Sequence, residues 1–288
     1  MLVVMVLAAL ISLIFILCLI ITILFYFRAR RYTTEHDKID DVSTPVRTLV
    51  SLVVETCSTS LLVMLYPFGI WGAGKAVKGE DRSHWIIMVH GYGHNRSAFY
   101  VLRRRLKRMG FENSWLMNLS SSFDPLEETA KDLAGQISRA FSYLPENSLT
   151  LIAHSMGGLV CRYYVQELGG HHKVAQLITL ATPHMGTQQA ELGFGEAVGQ
   201  MLPGSTFLKK LNDPVKSGLT RAACIWSASD NVVIPRMSAA LPGQEVYPLR
   251  YLGHNAMLFS GKVAKRIGEL ILRRGGPETG LRLKEGKY

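Results

Sequence analysis

The 288 residues are 48% hydrophobic, enough to fill the core of one large domain or two modest ones. The net charge of +10 is dispersed into a cluster after residue 27, another through Arg103, Arg104, Arg105, Lys107 and Arg108, and a third in the tail. No aromatic interleaving or nucleic-acid motif accompanies these clusters, which excludes nucleic acid as a partner and leaves anionic lipid headgroups or a solvated helix face. Cys18, Cys57, Cys161 and Cys224 have neither framework nor metal-ligand spacing and read as inert, packed thiols.

Leu2 to Phe27 carries no charge and is rich in Leu, Ile and Val. A helix needs roughly 20 such residues to cross a bilayer, so residues 1–27 are read as a transmembrane anchor. A cleaved signal peptide would have a basic start and a shorter apolar stretch; here no Lys or Arg precedes the run, and Arg28, Arg30 and Arg31 come directly after it. Residues 28–83 form a connector containing a second apolar segment, 49–71, interrupted by Glu55 and the run Thr56-Cys57-Ser58-Thr59-Ser60 and ending near Pro67 and Gly69. That segment spans, lies in the interface or packs on the rest of the chain, and a charge within it speaks against a second crossing. Gly72 to Ser83 reads as a linker.

From residue 84 short apolar runs alternate with amphipathic stretches. Strands are predicted at 85–89, 114–119, 149–153, 174–181, 222–227 and 246–252, and helices at 97–109, 125–143, 156–168 and 260–273. Glu127 and Glu128 complement the dipole in the first turn of one helix. This order implies an α/β fold over 84–274, a mostly parallel sheet with helices on both faces, followed by a basic C-terminal tail at 275–288. The stretch 185–215 breaks the rhythm. Its Leu192, Phe194, Met201, Leu202, Phe207 and Leu208 suggest either a roof over a site, acting as lid or acyl-binding wall, or a plain connecting loop.

The most informative run is Leu149 to Gly158, in which an apolar strand meets His154-Ser155-Met156-Gly157 and a helix begins at once. A serine hydroxyl is a weak nucleophile and must project from a tight, strained turn to reach a base and a substrate. Small residues two positions either side of it, Ala153 and Gly157, allow that turn, although Ala153 stands where the usual pattern has glycine. Read alone, the motif leaves open the lesser reading that Ser155 merely caps a helix after a buried strand. Its partners argue otherwise. His90-Gly91-Tyr92-Gly93 comes directly after the first strand, so the N–H groups of Tyr92 and Met156 make a candidate oxyanion hole. Asp230 lies just beyond the 222–227 strand, with Asp213 as the rival acid that no strand leads into. Among nine histidines, His254 comes after the acid in sequence, just past the last strand. The candidate triad is therefore Ser155, Asp230 and His254, each at the carboxyl end of a strand.

These residues resemble the α/β-hydrolase superfamily, and within it the small bacterial lipases and esterases of triacylglycerol lipase type. The resemblance covers roughly residues 84–274 and rests on His90-Gly91, Ala153 to Gly158, the run Thr182-Pro183-His184-Met185-Gly186-Thr187, Ser227 to Pro235 and Gly253-His254. It implies hydrolysis of a lipid or other acyl ester without a cofactor, in a compact member lacking the first strands of larger relatives, and, with the anchor, a protein of the bacterial inner membrane in contact with membrane lipids. Acyl transfer or thioester hydrolysis by the same triad is the alternative. A membrane-tethered binding module without catalysis is the reading from a different class, and a binding module has no need of the full triad. Arg28, Arg30 and Arg31 favour a cytoplasmic location for the chain beyond residue 31, unless 49–71 crosses back.

Overall fold

A computed structural model describes residues 1–32, 45–70, 84–213 and 221–274. The predicted linker and C-terminal tail, and most of the connector before the second apolar segment, lie outside the described residues. So does the end of the 185–215 stretch.

Six strands carry the fold: β1 (Trp85–Val89), β2 (Ser114–Met117), β3 (Leu149–His154), β4 (Val174–Leu180), β5 (Ala222–Ser227) and β6 (Glu245–Leu249). They lie in the order β2-β1-β3-β4-β5-β6, and every pairing is parallel. β3 is buried at every position, as a central parallel strand covered on both faces must be, and is apolar apart from Thr150 and the terminal His154. β1 shows how the two cores are divided. Ile87 and Val89 point to one side, with Leu133 and Ile137 of α4 (Leu126–Phe141) and Leu159 and Val160 of α5 (Met156–Glu167). Ile86 and Met88 point to the other, with Leu102 and Leu106 of α3 (Tyr100–Arg108) and Ile267 and Leu270 of α8 (Gly261–Arg274).

Two boundaries differ from the sequence reading for identifiable reasons. The helix expected from Ser97 begins at Tyr100, because Asn95 accepts from Ser97 N–H at 2.9 Å and caps a 3-10 turn, Arg96–Phe99, ahead of it. β6 stops at Leu249 instead of reaching Leu252. It is an edge strand, which tolerates Pro248, and the chain leaves it through Tyr251 at φ 64°.

The N-terminal helices sit beside this unit. α1 (Leu2–Tyr32) is exposed along its leucines, isoleucines and valines and packs against α2 through its small or polar buried positions, Cys18, Thr22 and Ala29. α2 (Pro45–Ile70) is inverted relative to a soluble amphipathic helix. Its buried residues include Ser51, Glu55, Thr56, Ser58 and Ser60, while Leu49, Val50, Val53, Val54, Val63 and Phe68 face outward. The polar run expected to interrupt it does not, because Thr56, Ser58 and Ser60 each donate a hydroxyl to the carbonyl four residues earlier, at 2.7 to 2.8 Å. The helix runs through Pro67 and ends at Ile70, close to the end near Pro67 and Gly69 read from the sequence. The last carbonyls that a helix leaves unpaired are taken by the α/β unit: Asn95 Nδ2 donates to Tyr66 O (2.8 Å), Tyr100 OH to Phe68 O (2.7 Å) and Asn118 Nδ2 to Gly69 O (3.0 Å). One cysteine departs from expectation. All four are free thiols, but Cys57 is exposed on the outward face of α2 and is not packed.

Candidate active site

In a parallel sheet the strands all end on one edge, and four of the six ends converge here. Ser155 leaves β3 with φ 53° and ψ −128°, a strained conformation that costs on the order of 1–3 kcal/mol and persists only where surroundings enforce it. They do so by close approach. A Cβ on Gly157 would meet the carbonyl oxygen of His90 at 2.4 Å and that of Val89 at 2.7 Å, and one on Gly91 would meet Ser155 Cβ at 2.9 Å. The two glycines thus let the turn after β1 and the turn after β3 press together. Tyr92 comes next in the first of these turns and Met156 opens α5, so the Met156 N–H is among those the helix itself leaves unpaired.

His90 is a strut. Its Nδ1 donates to Gly91 O (3.0 Å) and its Nε2 accepts from Leu119 N–H (3.1 Å), which fixes the neutral tautomer; burial holds the ring down at about 4. His154 is buried beneath the elbow, donating from Nε2 to the carbonyl of His254 (3.2 Å), its ring centroid 4.6 Å from the His254 ring. That contact packs His254 against the residue that precedes Ser155.

Asp230 and His254 are both buried and meet at 2.9 Å, Nδ1 to Oδ2. A carboxylate only accepts, so Nδ1 carries the hydrogen and the lone pair of the neutral ring is left on Nε2. Burial pushes the imidazole down, but the charge and hydrogen bond of Asp230, with a further charge from Glu55, outweigh it, and the net shift is upward. Asp213, the rival acid, lies after α7 (Thr206–Leu211) and is not the carboxylate that meets His254. Sequence reasoning passed over Glu55. Its carboxylate, 3% exposed, accepts the N–H groups of Asn255 and Ala256, each at 2.9 Å. The signal was there: a lone charge in an apolar helix marks a functional position by default.

Thr182 to Thr187 is a scaffold for the site. His184 pairs with Thr179 Oγ1 (3.1 Å) and takes a hydrogen from the buried Arg162 (3.4 Å), which also donates to Leu211 O (2.9 Å) and Asn212 Oδ1 (2.9 Å). Thr187 donates to Val232 O (2.6 Å) and accepts from Ile234 N–H (3.0 Å), tying the run to the loop that carries Asp230. Beyond it, the 185–215 stretch forms a 3-10 turn (Gln188–Leu192), α6 (Glu196–Gln200) and α7. Met201, Phe207 and Leu208 pack into the core, whereas Leu192 and Phe194 are exposed. Tyr92 OH donates to Phe194 O (2.8 Å) and accepts from Phe194 N–H (3.1 Å), and Phe123 stacks on Phe194 with centroids 4.7 Å apart. The stretch is therefore pinned to the turn after β1 and to Phe123. α1 touches it too: Arg28 pairs with Glu191, and Gln189 Nε2 bridges Phe25 O (3.1 Å) and Asn231 O (2.8 Å). Among the described residues no cluster of His, Cys, Asp or Glu could hold a metal ion.

A strand–Ser–helix elbow, an acid after β5 and a histidine after β6 on one edge of a parallel sheet is a recognisable layout. The fold is that of the α/β-hydrolases. Lipase B of Aspergillus fumigatus is similar with a TM-score of 0.58 at 17% identity, over 67% of this chain and 54% of that one. The mature lipase BlEst2 of Bacillus licheniformis is similar with a TM-score of 0.57 at 19% identity, over 70% of this chain and 98% of that one. Residues 86–201 of this chain match the palmitoyl protein thioesterase family model, a stretch running from β1 through the elbow to α6. Over 74 residues it is 36% identical to triacylglycerol lipase 2 of Saccharomyces cerevisiae, covering 24% of this chain and 23% of the yeast protein. The chain thus spans about half of the Aspergillus lipase, and its match spans under a quarter of the yeast lipase.

Proposed function

We propose that this protein is a membrane-anchored serine hydrolase that cleaves carboxylic esters of lipid-type acyl chains through Ser155, His254 and Asp230, within a catalytic domain of residues 84–274. The observation that carries the proposal is the buried Asp230–His254 pair packed against His154, the residue before a serine held at φ 53° on a strand–helix elbow. A capping serine needs neither the strain nor the pair. His254 Nε2 takes the Ser155 proton as Oγ attacks the ester carbonyl. The tetrahedral oxyanion is met by the N–H groups of Tyr92 and Met156, where loss of one donor typically costs roughly 100- to 1,000-fold in rate. His254 then protonates the leaving alcohol, and a water activated by the same ring releases the acid from the acyl-enzyme.

A lipid-type acyl group is supported by the lipase-like relatives and by the apolar roof over the site. The family match favours one second reading, hydrolysis of an acyl thioester by the same steps with a thiol leaving.

Membrane attachment is supported by α1, whose mean hydropathy over its most apolar 18 residues is 3.3. α2 runs beside the α/β unit and does not cross: Arg47 bonds Tyr251 OH (2.7 Å) at its start, Glu55 holds Asn255 and Ala256 midway, and Asn95, Tyr100 and Asn118 take its end. A helix tied to the same body over about 33 Å of its length lies along that body, with its apolar face toward lipid. A single span ending in Arg28, Arg30 and Arg31 puts the hydrolase on the cytoplasmic side of an inner membrane.

The test is labelling of the full-length protein by a fluorophosphonate probe beside Ser155→Ala, with acyl esters and acyl thioesters of graded length hydrolysed in parallel. Labelling lost in the variant, with hydrolysis of the ester series strongest at medium or long chains, is the expected result. Preference for the thioester series at equal chain length moves the assignment to the second reading. Absence of labelling in folded wild-type protein overturns both.

A further inference from the structure

We propose that Glu55 is a positioning residue of this site: by seating one buried carboxylate under two consecutive backbone N–H groups, α2 fixes the loop that carries His254, which makes the helix part of the active site and not only a tether. The inference rests on the triad reading above.

The geometry is specific. Oε1 accepts from Asn255 N–H and Oε2 from Ala256 N–H, both at 2.9 Å, so the two oxygens of one carboxylate engage adjacent amides immediately after the histidine. One turn further along α2, Thr59 Oγ1 accepts from Asn255 Nδ2 at 3.0 Å. On the other side of the histidine, a Cβ at Gly253 would lie 2.3 Å from Glu55 Oε2 and 2.8 Å from its Cβ. Residues 253–256 are therefore wrapped around this side chain, and glycine alone permits the approach. Burying a carboxylate is costly unless hydrogen bonds and charge offset it. Satisfying two amides needs only a neutral acceptor. A carboxylate in that place acts in addition on the imidazole between Gly253 and Asn255, which becomes cationic each time it takes the Ser155 proton.

The ionisable groups facing that ring come from four elements: Asp230 after β5, Glu55 on α2, His154 at the end of β3 and His94 in the turn after β1. Burial raises the Glu55 carboxyl and the Asp230 charge adds to it; the Asn255 N–H, the His254 imidazole and the Ala256 N–H lower it, and the net shift is upward. His154 and His94 are both pushed down by burial and stay neutral, so the two carboxylates are what favour a protonated His254.

The experiment compares full-length wild-type protein with Glu55→Gln and Glu55→Asp in detergent micelles, reading kcat, KM and the pH profile with a p-nitrophenyl acyl ester. Glu55→Gln keeps the size of the side chain and places an amide against one N–H. The expected result is a kcat roughly 10-fold lower or more with KM little changed, and an acid midpoint of kcat/KM moved to lower pH because one charge that favours the imidazolium is gone. A folded Glu55→Gln protein with wild-type kcat overturns the proposal, as does one with reduced kcat and an unmoved midpoint, since a merely structural contact would act that way. If Glu55→Gln does not fold, Glu55→Asp decides: it keeps the charge and shortens the reach. Reduced kcat with a moved acid midpoint, because the charge now stands at a different distance from the ring, then supports the proposal; wild-type kcat or an unmoved midpoint overturns it. Failure of the triad reading is distinct, because wild-type protein would then take no fluorophosphonate label.

Discussion

Asp230 Oδ2 meets His254 Nδ1 at 2.9 Å, while Oδ1 of the same carboxylate accepts the N–H groups of Val232 (2.8 Å) and Val233 (3.0 Å). The acid is thus held by its own loop before it holds the histidine, and both its oxygens are committed. Asparagine in its place would offer either an amide NH2 to Nδ1, which forces the wrong tautomer, or an amide NH2 to the Val232 and Val233 N–H groups, which leaves donor facing donor. Asp230→Asn is expected to fold and to lose roughly 10³- to 10⁴-fold in kcat, as such a swap does where an acid sets a catalytic tautomer. Steady-state kinetics beside a thermal melt checks this; activity within tenfold of wild type would remove Asp230 from the site.

The upward shift of His254 sets the acid limb of activity. The ring acts as base only when neutral, so kcat/KM falls as pH drops through the His254 value, which lies above the ordinary 6.5. His90 and His94, each held down at about 4, carry no charge in that window and do not contribute to the limb. A pH profile of kcat/KM for the free enzyme should show one ionisation with its midpoint above 6.5. A midpoint well below that value would mean that burial outweighs the two carboxylates.

Much of this was legible in the residues, and for physical reasons. The Leu149 to Gly158 run announces itself because a fully buried strand, a strained serine and a glycine that admits two backbone carbonyls leave little choice of side chain. Asp230 and His254 were found through strand ends and chain order, which the parallel sheet imposes. α2 was harder to read. Its Thr56 to Ser60 run looks like a break until the hydroxyls are seen to bond their own helix, and its last carbonyls, around Pro67, are taken by Asn95, Tyr100 and Asn118. Those partners are 29 to 49 residues away in sequence, and no local pattern encodes them.

Gly157 offers a sharp test of the elbow. A methyl group there would be driven into the carbonyl oxygens of His90 and Val89, which are backbone atoms and do not rotate away. Gly157→Ala must therefore push the turn after β1 away from α5 and separate the Tyr92 and Met156 N–H groups. The expected outcome is a loss of at least roughly 100-fold in kcat, the scale of a missing oxyanion donor, together with a lower Tm. Gly199→Ala, where an added Cβ meets nothing within 4 Å, serves as the control and should leave both unchanged. Equal behaviour of the two variants would show that the close approach is not needed.

The roof is the last feature the geometry lets one predict. Phe194 is 67% exposed, yet its backbone is clasped at both its N–H and its carbonyl by the Tyr92 hydroxyl. Tyr92→Phe removes both hydrogen bonds, worth about 0.5–1.5 kcal/mol each, and leaves intact the ring contacts with Phe123 and Phe194 and the backbone N–H assigned to the oxyanion. The roof around Leu192 to Gly195 should then open more often while the chemistry stays the same. Limited proteolysis is expected to cut that segment faster in the variant, and KM for long-chain esters to rise several-fold with kcat within about twofold, the pattern of lost uniform binding. A fall in kcat with unchanged KM would instead mean that the Tyr92 hydroxyl steadies the oxyanion turn itself, so that its clasp on Phe194 serves the reaction and not the acyl chain.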